Sequence, residues 1–206
     1  MSHGLFITLE GGEGAGKTTS LAFVRAFLEQ AGKNVVVTRE PGGTPLGEKI
    51  RDFLLHGRDD MHVECELLLM FAARAEHLAR VVRPALAAGA VVVCDRFTDA
   101  TYAYQGAGRG VPDARIRVLE DWVQQGLRPD LTLLLDIPVE RGLVRAGKRS
   151  APDRFEREQV DFFERVRDAY LATAAREPRR VRVIDAVQDI PKVQQQLRAA
   201  LEPLIR

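Results

Sequence analysis

The stretch GGEGAGKT at residues 11–18 constrains this chain most, because of what stands on either side of it. The apolar run LFITL (5–9) precedes it, and Leu21, Val24, Phe27 and Leu28 follow at helical spacing. A strand, a glycine-rich turn and an amphipathic helix in that order gather backbone N–H groups and a helix N-terminus around one point, which favours an anion there. The pattern G-x-x-x-x-G-K-[ST] is met in full by Gly11, Gly16, Lys17 and Thr18. Gly12, Glu13, Gly14 and Ala15 complete the loop and Thr19 follows it, so 11–19 reads as the phosphate-binding segment for a nucleoside triphosphate. In such a segment Lys17 reaches the β/γ oxygens and the Thr18 hydroxyl ligates Mg²⁺. Glu13 is the anomaly, a carboxylate inside an anion cradle.

Four further short runs match LFITL in character: NVVVT (34–38), AVVVC (90–94), LTLLL (131–135) and VRVID (181–185). They are rich in β-branched residues and mostly apolar on both faces, as strands covered on both sides are. Between them lie helical faces. Val63, Leu67, Leu68, Phe71, Ala75, Leu78 and Val82 make one, expected to stop at Pro84, and Ile116, Leu119 and Val123 make another. Strands alternating with helices predict an α/β fold, a parallel sheet with helices on both faces. With 206 residues and no linker, 1–206 reads as a single domain. The segments near 104–112 and 145–154 read as functional loops.

The net charge of +1 argues against a general binder of nucleic acid. Cys65 and Cys94 lack metal-ligand spacing, and Cys94 reads as a small buried hydrophobe. Met1 runs into LFITL without a basic leader, and no apolar run approaches the roughly 20 residues that span a bilayer. The expectation is a reducing, cytoplasmic setting away from membranes.

Three kinds of phosphate chemistry compete. A GTP-driven switch needs an N-K-x-D reader and a D-x-x-G element, and neither occurs. An assembly ATPase needs oligomerisation arms or a longer body. A kinase for a small acceptor needs a second pocket and a basic lid. TREPGGTP (38–45) offers Arg39 and Glu40 after a strand, and FAARAEH (71–77) offers Phe71 and Arg74 three apart on a helix. VVVCDRFTDATYAYQG (91–106) offers Asp95 at a strand end, suited to a carboxylate near the metal, and Arg96 for a phosphate. Asp136 is a rival for the metal, although Pro138 favours a structural role for it. RGLVRAGKRSAPDRFERE (141–158) carries Arg145, Lys148, Arg149 and Arg154 and reads as the lid. Phosphoryl transfer rests on positioning and electrostatics, so added arginines raise its rate.

Together, LEGGEGAGKTT, TREPGGTPLGEKIR, ELLLMFAARAEH, DRFTDATYAYQGAGRG, LRPDLTLLLD and DRFE, in this order and spacing, closely resemble the thymidylate kinases of the bacterial type. The resemblance implies a P-loop fold of the nucleoside-monophosphate-kinase type with a five-stranded parallel sheet and a lid. It also implies transfer of the γ-phosphoryl of ATP to dTMP with Mg²⁺, in dTTP synthesis, and a homodimer. By the same resemblance Phe71 stacks on thymine, Arg74 bonds its edge, and Thr101 and Gln105 supply polar base contacts. Tyr104 crowds the sugar 2′ position, and Glu13 accepts from the 3′-hydroxyl. Arg39 and Arg96 lie at the acceptor phosphate, with Pro41 beside them, while Glu40 and Asp95 are close to the metal. The catalytic charges are then Lys17, Arg96, Arg149 and Arg154, with Arg149 the first choice for the γ-phosphate. Other branches of the family carry an arginine at the position of Gly14, and its absence here directs the search to the lid. A nucleoside monophosphate already presents an anionic oxygen, so the task is to align two polyanions and offset their repulsion.

Overall fold

The five apolar runs become strands β1 (Leu5–Glu10), β2 (Val35–Arg39), β3 (Val91–Asp95), β4 (Leu131–Asp136) and β5 (Val181–Asp185) in the computed structural model. The model describes residues 4–57, 61–147, 154–156 and 158–205. All strand pairs are parallel, in the order β2-β3-β1-β4-β5. Side chains alternate along each strand. Ile7, Leu9, Val91, Val93, Leu133 and Leu135 form one core with Val24, Leu28, Leu197 and Leu201. Their neighbours point the other way, Phe6, Val92 and Cys94 meeting Leu78, Val82 and Phe97, and Leu134 meeting Phe163 and Val166. Each fully buried side chain of this kind contributes roughly 1.5–3 kcal/mol.

Helices cover both faces: α1 (Lys17–Gln30), α2 (Pro45–His56), α3 (Val63–His77), α4 (Arg83–Ala87), α5 (Thr98–Thr101), α6 (Asp113–Gln124), α7 (Val139–Ala146), α8 (Val160–Arg176) and α9 (Ile190–Ile205). Thr44 caps α2 by accepting from Gly47 N at 2.9 Å, with Pro45 in the first turn where a missing N–H costs nothing. Pro84 does not end the third helical stretch as its sequence position suggested. The chain passes from α3 through a π-helical turn (Leu78–Val82) into α4, and Pro84 sits in that helix's first turn. The segment expected as a loop near 104–112 is mostly π-helix as well, Tyr102–Gly108 continuing α5. Among the described residues no helix is long and apolar enough to cross a membrane.

In a parallel sheet the carboxyl ends of the strands share one edge. Glu10, Arg39, Asp95 and Asp136 all fall there, and Leu9 is in register with Asp95. The glycine loop leaves β1 at the centre of that edge.

Candidate active site

The loop enters α1 through Gly16, whose φ of 89° is left-handed, and Lys17 begins the helix. Lys17 Nζ donates to the carbonyls of Gly11 and Gly12, both at 3.0 Å. Burial, joined by the charge of Arg96, lowers the pKa of this ammonium, while Glu13 and Asp95 work the other way. Gly14 has φ 67°, and a Cβ there would lie 2.0 Å from the carbonyl oxygen of Gly142 on α7. A Cβ on Gly142 would in turn lie 2.4 Å from the carbonyl of Glu13. Loop and helix therefore touch backbone to backbone, and no arginine fits at residue 14.

Asp95 ends β3 with its Oδ1 buried and without a hydrogen bond among the described residues. Thr18 is exposed at the start of α1. One unpartnered carboxylate oxygen and one hydroxyl suit Mg²⁺, which takes few protein ligands and fills its shell with water and phosphate. Glu40, expected beside the metal, is committed elsewhere. Its Oε2 accepts from Arg74 Nε at 2.7 Å and its Oε1 from His77 Nδ1 at 2.9 Å. Asp136 is likewise taken, by both Nε and Nη2 of Arg167.

Glu13 is tied to Arg96, whose Nη2 donates to its Oε1 at 2.7 Å, and to the Tyr104 hydroxyl at 2.9 Å. Burial pushes the Glu13 carboxyl up, but Arg96, Lys17 and Tyr104 outweigh it and hold it below the usual carboxylate value. The Arg96 guanidinium lies 4.6 Å from the Tyr104 ring centre. Its backbone has φ 68°, a left-handed conformation that costs a non-glycine residue on the order of 1 kcal/mol or more. Flanking bonds hold it there: Arg96 N donates to Leu9 O at 2.9 Å, and Phe97 N donates to Glu10 Oε1 at 2.7 Å.

Glu10 was not singled out from sequence. It is fully buried, and its Oε2 accepts from the Tyr170 hydroxyl at 2.7 Å. Burial, then the nearby charge of Asp99, pushes its pKa from 4.5 to about 8. Tyr170, on α8, also accepts from Arg96 Nη1 at 3.3 Å. Its only sequence signal was its place on an apolar helix face.

A cavity opens beside Glu13 and Arg96, lined also by Glu40, Pro41, Arg74, Thr101, Tyr104 and Gln105 from the set expected at dTMP. Arg74 is buried at 2% exposure; Nη2 donates to Thr101 at 2.9 Å, while Nη1 is buried without a partner among the described residues. Phe71 does not line this cavity. It packs with Leu67, Val111 and Ile116, its ring 4.7 Å from the Arg74 guanidinium. Met70, four residues before Arg74, lines the cavity together with Phe97. Successive helical residues differ by about 100°, so the spacing of three chose the wrong neighbour. Arg39 is also displaced: its guanidinium pairs with Glu48 at 2.7 and 3.2 Å, half exposed and outside the lining. Arg51 lines it instead, with Nη1 donating to Pro41 O at 3.0 Å. Its spacing from buried Gly47 and Leu54 on α2 was the overlooked signal.

Of the expected lid, 141–146 belongs to α7, and Lys148 and Arg149 lie outside the described residues. Arg154 is buried, and its bonds go to α2 and α3. Its backbone N donates to Leu55 O at 3.1 Å, its Nε to Leu54 O at 2.9 Å, and its Nη2 to Glu66. A guanidinium paired this way anchors the chain to α2 and α3, which removes Arg154 from the catalytic set. Arg145 Nη1 donates to Ala186 O at 2.9 Å, in a recess shared with Gly14, Gly16, Thr19, Gln188 and Asp189.

A family model described as thymidylate kinase matches residues 9–197. The chain is 59% identical to a thymidylate kinase of Pseudomonas putida (strain GB-1) over 203 residues, covering 98% of this chain and 97% of that protein. It is 57% identical to one from Methylococcus capsulatus over 205 residues, covering 100% and 98%. A crystal structure of thymidylate kinase from Ehrlichia chaffeensis superposes with a TM-score of 0.78 at 35% identity, covering 97% of this chain and 99% of that one.

Proposed function

The chain belongs to the thymidylate kinase family, and from that premise we propose how its site moves the γ-phosphoryl of ATP onto dTMP, giving dTDP and ADP. The observation that carries the reading is the cavity between Arg74 and Arg96. One end offers a buried, unpartnered Nη1, and the other meets the glycine loop through the Arg96–Glu13 pair. A base seated at Arg74 directs its 5′-phosphate towards Arg96, near the loop that cradles ATP.

In this reading the backbone of residues 11–19 and Lys17 hold the ATP phosphates. Arg96 and Arg51 bind the acceptor phosphate, and Tyr104 packs against the deoxyribose, leaving no room for a 2′-hydroxyl. Glu13 accepts from the 3′-hydroxyl. Thr18 and Asp95 hold Mg²⁺, which when bound offsets the charge of the phosphates. The nucleophile is the monophosphate oxygen itself, so no side chain need act as a base. Alignment and positive charge do the catalysis. Arg149 is our choice for the charge over the γ-phosphate, and the recess at Arg145 and Gln188 our choice for adenine. The whole chain is one kinase domain working in the cytoplasm. Two copies pair through the outer faces of α3 and α6, where Leu68, Val118 and Trp122 are exposed at 56%, 67% and 75%.

A coupled assay of ADP release across dTMP, dUMP, UMP, CMP and AMP tests the reading. dTMP should give the highest kcat/KM. A preference for UMP or CMP would make the protein a broader pyrimidine monophosphate kinase, and no turnover with any of them would leave a nucleotide-binding module.

A further inference from the structure

Gln105 lines the acceptor cavity, but one end of its amide is already engaged. Its Nε2 donates to Glu66 Oε1 at 2.8 Å, while its carbonyl oxygen has no partner among the described residues. Glu66 stands on α3, 1% exposed, and does not line the cavity. Its other oxygen takes the Arg154 guanidinium, and Arg109 Nε lies 3.5 Å from it. A carboxylate held between two guanidiniums only accepts hydrogen bonds. It therefore dictates which way the Gln105 amide faces.

We propose that Glu66 is a positioning residue that sets the acceptor base: by fixing Gln105 Nε2 it turns the Gln105 carbonyl into the cavity, so the site reads a pyrimidine-2,4-dione and rejects cytosine. The inference rests on the base lying at Arg74 and Gln105. Among the described residues Arg74 leaves a donor, Nη1, and Gln105 leaves an acceptor, Oε1, to meet the base edge. A dione edge presents the complement, an O4 acceptor beside an N3–H donor. Cytosine reverses both, setting its amino group against the guanidinium and its N3 lone pair against the amide oxygen. A buried site built for one edge rejects the other because its own polar groups are left unpaired. Glutamine at position 66 would reverse the reading, since its oxygen takes the Arg154 and Arg109 guanidiniums and its NH2 then meets Gln105, whose carbonyl turns away from the cavity to accept from it.

The test measures kcat and KM with dTMP, dUMP and dCMP for the wild-type protein, Glu66→Gln, and the exchange Glu66→Gln/Gln105→Glu. Glu66→Gln should lower the dTMP-to-dCMP ratio of kcat/KM by about tenfold or more, the order of one misread base edge, mostly through KM. The dTMP-to-dUMP ratio should not move, because the 5-methyl group lies off this edge. The exchange restores a fixed acceptor in the cavity and should restore the wild-type ratio, which a merely structural role for Glu66 would not do. Equal losses with dTMP and dCMP, or an exchange that does not recover the ratio, would overturn the proposal. If Glu66→Gln alone does not fold, the exchange is read by itself, and loss of the dione preference there overturns it equally. Failure of the underlying reading is distinct, since it shows in the wild-type protein as no preference for dTMP.

Discussion

Arg96 and Glu13 meet at 2.7 Å, joining the end of β3 to the middle of the glycine loop. The pair accounts for a carboxylate within a phosphate cradle. Its charge is matched by the arginine, and its remaining acceptor capacity faces the cavity. Glu13→Gln keeps the shape and removes the charge. We expect KM for dTMP to rise about tenfold or more, in keeping with loss of charge-assisted bonds, with KM for ATP nearly constant. An unchanged acceptor KM would show that Glu13 serves the loop alone.

Glu10 predicts an unusual pH dependence of stability. Its folded pKa, about 8, lies above the ordinary 4.5, so between these values the folded protein holds a proton that the unfolded chain has released. Stability from this group is therefore full below about pH 4.5 and falls as pH rises towards 8. Glu10→Gln retains a neutral side chain at every pH. Its Tm relative to wild type should climb between pH 5 and 8 and level off above. A Tm difference that stays flat across that range would refute the assignment.

The two lid arginines should separate cleanly. Arg154→Met takes away the guanidinium bonded to the buried Glu66 carboxylate, leaving it only Gln105 Nε2 and the more distant Arg109; breaking such a pair costs up to about 3–5 kcal/mol, so the loss should appear in Tm. Arg149→Ala should leave Tm in place and lower kcat far more than it raises KM for dTMP. Thermal melts beside turnover at saturation distinguish the two, and a pure KM effect of Arg149→Ala would move the catalytic charge elsewhere.

Trp122→Glu places a charge on the exposed face of α6. Sedimentation should find two chains per particle for wild type and one for the variant. A variant of unchanged mass would exclude that face as the contact.

The sheet was legible because each strand announces itself in a contiguous apolar run. The phosphate loop was legible because its whole pattern lies within eight residues. The acceptor site is assembled from the glycine loop, the segment after β2, α2, α3 and the segment after β3, and there local pattern was a weaker guide. Arg74 and Gln105 fell where they were expected to line a cavity, but Phe71 faced the core because a helical aromatic can serve either side. The resemblance implies an acceptor-phosphate contact for Arg39 and a lid charge for Arg154. Each instead found a carboxylate, Arg39 nine residues away and Arg154 88 residues away. Glu10 and Glu66 stand inside quoted segments that suggest no role for them, and Tyr170 stands outside any; their roles exist only once β1, α3 and α8 are packed with the segment after β3.

The bare contact between Gly14 and Gly142 restricts how such a site can evolve. A loop arginine and a closely seated α7 compete for one volume, so a chain of this kind cannot acquire the first while keeping the second. A single substitution at either position produces a collision before it produces an alternative. The two solutions to supplying positive charge are thus separate peaks: the atoms in the way at residue 142 are backbone, so no side-chain change there makes room, and α7 itself has to withdraw before the loop can carry an arginine.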